Sequence, residues 1–114
     1  MGGLDHIALI CSSFESLDFY GKLGFKERTR FMRQYDTVVF MDGCGISLEM
    51  FIDGRHPDRA SSPENNGLRH ICLVADDFEG TAKTFGVTEF KTNFFGKRCF
   101  FINDPDGQPV EIRE

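Results

Sequence analysis

Tryptophan is absent from this chain and tyrosine occurs twice, while phenylalanine occurs thirteen times in 114 residues. The interior is therefore expected to rest on rings that carry no polar atom and need no buried hydrogen-bond partner. An excess of basic charge is absent too. Thirteen Lys and Arg stand against eighteen Asp and Glu, for a net charge of −5. A nucleic-acid-binding surface carries a basic face, so that class is set aside. No apolar run is long enough to span a bilayer, which sets membrane spanning aside as well. The N-terminus has no basic segment leading into an apolar stretch, so no secretory signal is expected. Met1-Gly2-Gly3 also lacks the Ser or Thr that a myristoylation signal carries at its sixth position. Finally, none of the four cysteines (Cys11, Cys44, Cys72, Cys99) stands in a CxxC pair. The expectation is four reduced thiols in a cytoplasmic protein, with Cys11, Cys72 and Cys99 acting as small hydrophobes in apolar strands.

What the chain does have is a repeat. Leu4, His6, Ile7, Leu9, Phe14 and Glu15 recur as Leu68, His70, Ile71, Leu73, Phe78 and Glu79, all at one offset of 64 residues. A length of 114 residues allows one domain, or two very small half-domains sharing one core. Within each copy the order of elements reads β-α-β-β-β. In the first, Leu4 to Cys11 alternates as a strand, and Ser12 with Glu15 has capping-box spacing for a helix with Phe14, Leu17 and Tyr20 on its apolar stripe. Gly21 and Gly24 end that helix. Strands follow at Phe25–Arg33 and Tyr35–Met41, then a turn at Asp42-Gly43-Cys44-Gly45 and a strand at Ile46–Ile52. The stretch 53–67 is rich in Pro, Ser, Asn, Asp and Gly and reads as a linker. The second copy gives a strand at Leu68–Ala75 and a helix at Phe78–Phe85 capped by Asp76 or Asp77. Its remaining strands are Val87–Phe95, Arg98–Ile102 and Pro109–Arg113, with turns at Gly96-Lys97 and Asn103–Gly107. The fold class is therefore α+β. It consists of two βαβββ modules, 4–52 and 68–113, with mixed sheets side by side and helices on the outer faces.

Strand parity places the chemistry. Leu48-Glu49-Met50 echoes Val110-Glu111-Ile112 at an offset of 62. Residues flanking a strand position point to the opposite face, so Glu49 and Glu111 face away from the helix-covered core. The same parity puts His6 and His70 on that face, opposite Ile7/Leu9 and Ile71/Leu73. One histidine and one glutamate per module make an N/O ligand set for a divalent first-row metal, with the two carboxylates balancing its charge. Ni, Zn or Co would suit this set first, then Fe or Mn. Arg28, Arg30 and Arg98 are candidate contacts for an anionic substrate, with Arg33 beside them. His56, in the linker, is expected to be solvated.

The chain resembles the vicinal oxygen chelate superfamily, which includes glyoxalase I, the bleomycin-resistance proteins, the extradiol dioxygenases, methylmalonyl-CoA epimerase and the fosfomycin-resistance enzymes. The motifs that carry the resemblance are Leu4-Asp5-His6-Ile7-Ala8-Leu9, Phe19-Tyr20-Gly21-Lys22-Leu23-Gly24-Phe25, Gly67-Leu68-Arg69-His70-Ile71 and Asn103-Asp104-Pro105-Asp106-Gly107-Gln108-Pro109-Val110-Glu111. The variant is similar to small bacterial glyoxalase-like proteins. The resemblance implies paired β-α-β-β-β modules forming a metal-holding cup, and a homodimer. It implies His6, Glu49, His70 and Glu111 as the ligands. A glutamate at the position of Glu49 matches glyoxalase I, where epimerases tend to have glutamine. The implied activity is that of a glyoxalase-type lyase or isomerase. The metal chelates two adjacent substrate oxygens and stabilises an enediolate, and a glutamate (Glu111 first, Glu49 second) carries the proton. The alternatives are another superfamily enzyme (epimerase, dioxygenase or thiol transferase) and a drug-binding protein without turnover.

Overall fold

Ser47, Glu49 and Phe51 alternate with fully or nearly buried Leu48, Met50 and Ile52 along one strand of the computed structural model, which describes residues 1–114. That strand, β4 (Ile46–Ile52), is central in the first of two compact units, Met1–Asp58 and Arg59–Glu114. The first unit contains β1 (Ile7–Cys11), α1 (Glu15–Lys22), β2 (Lys26–Met32), β3 (Thr37–Gly43) and β4. Its sheet has the order β1-β4-β3-β2, parallel between β1 and β4 and antiparallel elsewhere. The second unit contains β5 (Ile71–Val74), α2 (Phe78–Thr84), β6 (Lys91–Thr92), β7 (Arg98–Asn103) and β8 (Pro109–Arg113). Its order is β5-β8-β7-β6, with the parallel pair again at β5 and β8. The duplicated β-α-β-β-β order read from the sequence is thus the architecture. Asp53 to His70 forms neither helix nor strand.

One face of each sheet is apolar and closed. In the first unit Leu9, Val39, Met41, Leu48 and Met50 lie there, and α1 contributes Tyr20, one turn beyond the equally buried Ser16. In the second unit Leu73, Phe100, Val110 and Ile112 are buried, with Phe78 and Ala82 from α2. Phe78 packs at 4.8 Å from Phe90 and 5.2 Å from Phe100, which bears out a core of plain rings.

Four local expectations need correction. The Ser12/Glu15 capping box does not form. The residue at the N-cap is Phe14 with a helical backbone, and Ser13 Oγ accepts from the Glu15 amide at 3.3 Å. Shifting the helix start by two residues leaves Phe14 exposed and makes Ser16/Tyr20 the buried stripe. Both leading strands are also shorter than expected, beginning one residue after His6 and His70. The strand expected over Val87–Phe95 shrinks to Lys91–Thr92. There Val87 N bonds Ala82 O, and Phe90 turns inward onto Phe78 and Phe100 instead of lying in a ladder. Asp77, by contrast, caps α2 as expected, its carboxylate accepting from Gly80 N at 3.0 Å.

The Asp104-Pro105-Asp106-Gly107 turn owes its shape to one buried carboxylate. Asp104 Oδ1 accepts from Asp106 N at 2.8 Å and from Gln108 N at 3.0 Å, and Gly107 takes a positive φ of 83°. This turn delivers β8, and so Glu111, to its register. Asp104→Ala is expected to cost about 1–3 kcal/mol by stranding two amides, read as a lowered urea midpoint with unchanged m.

A second carboxylate sets the acid limit of the first unit. Hydrogen bonds from the Arg55 guanidinium and the Arg55 amide hold the Asp53 pKa at about 2, against an ordinary 3.8. A depressed folded pKa contributes stability that is present above 3.8 and lost as pH falls towards 2. Arg55→Ala is therefore expected to move the onset of acid unfolding upward within that window, as followed by circular dichroism.

Candidate metal centre

Each unit brings one histidine to one glutamate across its parallel strand pair. Ala8 is in register with Glu49, and Cys72 with Glu111. His6 and His70 stand two residues before those partners and on the same face, so their rings reach back over the carboxylates. His6 Nε2 lies 3.7 Å from Glu49 Oε2, and His70 Nε2 lies 3.0 Å from Glu111 Oε2. A phenylalanine completes each group. Phe40 is in register with Glu49 and meets the His6 ring edge-on at 6.0 Å, and Phe101 is in register with Glu111 and meets His70 at 5.1 Å.

The two histidines are held differently. His6 Nδ1 bonds the Asp5 carboxylate at 2.7 Å, which fixes the proton on Nδ1 and leaves the Nε2 lone pair towards Glu49. That bond, helped by the Glu49 charge and opposed by partial desolvation, raises the His6 pKa. His70 Nδ1 lies 3.3 Å from Arg69 Nη1, which can only donate. In the neutral ring Nδ1 then accepts, and Nε2–H donates to Glu111.

These donors fit a divalent cation. Two atoms each about 2.1 Å from one ion and at right angles lie about 3 Å apart, close to the two His–Glu separations. The donor set is imidazole and carboxylate, the mixture that first-row divalent ions accept. Neither unit alone arranges three or more His, Cys, Asp or Glu side chains to hold an ion; each supplies two donors.

Of the three arginines singled out as substrate contacts, Arg28 lies on the Glu49 face, its guanidinium 5.3 Å from the Phe40 ring and bonded to Asp42. Arg30 is in register with buried Val39, stacks over Phe14 and is clamped by Glu27. The irregularity between Glu27 and Thr29 separates these two arginines onto different faces. Arg98 sits over Phe78 and Phe90, between Glu79 and Glu114, on the α2 side. Two contributions escaped the sequence reading. Arg33, 5.4 Å from the Phe51 ring, has its pKa raised first by its bond to Asp36 and in small part by Glu49, so it lies on the His6/Glu49 face. Cys72 and Cys99 are the other. They were expected to be core hydrophobes, yet both thiols bond the Glu111 carboxylate. Burial first, and the Glu111 charge next, push both thiol pKa values up. Cys72 shares the parity of His70, and that signal was present in the sequence.

The Glyoxalase family model, described as the Glyoxalase/Bleomycin resistance protein/Dioxygenase superfamily, matches residues 3–112. This chain belongs to that superfamily. The uncharacterized protein YwkD of Bacillus subtilis is 31% identical, with 97% of this chain and 95% of that protein covered. Among solved structures, a glyoxalase family protein from Enterococcus faecalis superposes with a TM-score of 0.86 at 28% identity, covering 100% of this chain and 98% of its own. Two more distant superfamily structures share the fold. A lactoylglutathione lyase from Agrobacterium tumefaciens has 20% identity and a TM-score of 0.66, covering 100% of this chain and 94% of its own. The fosfomycin resistance protein FosX from Listeria monocytogenes, complexed with Mn(II) and sulfate, has 18% identity and a TM-score of 0.70, covering 99% and 92%. The superfamily fold, two four-stranded mixed sheets each with a helix, agrees with the resemblance read from the motifs. No helix is long and apolar enough to cross a membrane.

Proposed function

We propose that this protein is a metal-dependent glyoxalase-type lyase or isomerase, which moves a proton next to a carbonyl in a small substrate chelated through two oxygens. The observation that carries the reading is the matched pair of contacts, His6–Glu49 and His70–Glu111, built from the same strand positions in both units. The proposed ligands are His6, Glu49, His70 and Glu111, taken from one chain or from two copies in a homodimer. The ion, with Ni, Zn or Co first and Fe or Mn next, would polarise the carbonyl and offset negative charge on the substrate oxygens. Asp5 holds the His6 ring so that Nε2 stays available. Glu49 and Glu111 supply the carboxylates between which the proton is taken and returned. Phe40 and Phe101 give each group an apolar wall that strengthens charge interactions beside it. Arg28 and Arg33 offer positive charge on the Glu49 face to an anionic part of the substrate.

Two measurements on the purified protein test this. Elemental analysis is expected to find one divalent ion per chain. The loaded protein is expected to turn over the adduct of methylglyoxal and glutathione. Iron with oxygen uptake would instead mean a dioxygenase, and a metal-free protein that only binds small molecules would overturn the reading. Sedimentation of the concentrated protein as a clean monomer would remove the homodimer.

A further inference from the structure

The two glutamates occupy equivalent places but have different neighbours. On the first sheet, Glu49 is flanked across the strands by Ala8 and Phe40, with Val38 two residues before Phe40 on the same face. None of these side chains carries a hydrogen-bond donor. On the second sheet the same places hold Cys72, Phe101 and Cys99. So alanine and valine in one unit are replaced by two thiols in the other, one on each side of β8. Cys99 is only 3% exposed, and both thiols bond the Glu111 carboxylate. His70 Nε2 adds a third contact at 3.0 Å. His6, by comparison, stands 3.7 Å from Glu49.

We propose that Cys72 and Cys99 are positioning residues, whose S–H groups grip the Glu111 carboxylate from both neighbouring strands and hold it as the fixed carboxylate of the site. A thiol is a weak donor, but the acceptor is ionised and partly shielded from water, which strengthens the bond. Oriented contacts to a ligating carboxylate set its direction and so the affinity of the ion it holds. The inference rests on the proposed role of Glu111 as a ligand, yet its first test needs no metal.

The infrared S–H stretching bands of the metal-free protein report thiol hydrogen bonding directly. Cys72→Ala and Cys99→Val, each taking the residue of the other unit, assign the two bands. Glu111→Gln is expected to move both bands to higher wavenumber, and Glu49→Gln to leave them in place. Bands that stay put in Glu111→Gln overturn the proposal. The second readout is Mn(II) affinity by titration calorimetry. The double variant Cys72→Ala/Cys99→Val is expected to bind at least about tenfold more weakly, within the usual range for lost supports of a ligand. Cys72→Ser/Cys99→Val, which restores one donor, should recover part of the loss. Equal affinity in wild type and double variant overturns positioning. If the wild type binds no ion at all, the proposed metal-dependent function fails, and the infrared bands alone decide whether the thiols hold Glu111.

Discussion

Glu49→Gln and Glu111→Gln, made singly, are expected to lower turnover by about a hundredfold to ten-thousandfold, the usual contribution of a positioned acid or base. Glutamine keeps the shape and a carbonyl oxygen but loses the charge and the ability to carry a proton. The two variants should nevertheless fail differently. Glu111 is bound by His70 Nε2 and by two thiols, so its amide analogue disturbs a whole cluster of contacts. Loss of metal content should therefore dominate there. Glu49 stands beyond hydrogen-bond distance of His6, at 3.7 Å, next to side chains that offer no donor. Glu49→Gln should keep more of its metal while losing kcat. Metal analysis and steady-state kinetics on the same preparations separate the two outcomes. Unchanged metal content and unchanged kcat/KM in both variants would remove the glyoxalase-type reading.

Leu48→Ala should have the largest effect on stability, about 2–5 kcal/mol. Leu48 has no exposed surface, and it is in register with Ile7 on one side and Met41 on the other. Its side chain fills the centre of the closed face of the first sheet, and a β-sheet cannot collapse around the hole without breaking its ladder. The loss is a sizeable share of the stability of so small a unit. The urea midpoint should fall with little change in m. Ser47, next in the chain but on the open face, provides the contrast. Its hydroxyl bonds Asp42, so Ser47→Ala should cost about 1 kcal/mol. Equal costs at positions 47 and 48 would mean that the two faces are not distinguished as described.

The parts of the fold that follow from periodicity were readable in the sequence. The offset of 64 residues gave the repeat, and the apolar flanks of Glu49 and Glu111 gave the sheet faces. Buried Leu48, Met50, Val110 and Ile112 agree with that parity. The features that escaped depend on single backbone choices or on which contact wins locally. Ser12 and Glu15 have capping spacing, but the helical backbone of Phe14 moves the helix start past Ser12. Phe90 has strand-like neighbours, but its ring gains more from Phe78 and Phe100 than its backbone would from a ladder. Arg28 and Arg30 have the same parity, and only an irregularity in β2 parts them. Cys72 was set apart from the site by residue type, although its position two residues after His70 gave the correct face.

Every ladder closes within its own unit: β1, β2, β3 and β4 make one sheet, and β5, β6, β7 and β8 the other. The order of synthesis then matters. When Asp58 has left the ribosome, every strand partner of the first sheet already exists, including Leu48 for Ile7. The slowest loop to close is the crossover that brings β1 beside β4, because distant partners must meet before any bond rewards them. Chains growing from the N-terminus tend to fold unit by unit, so the first half has the chance to settle before the second can offer its similar strands as wrong partners. A tandem repeat invites such mispairing, and ladders that stay local are how this chain limits it.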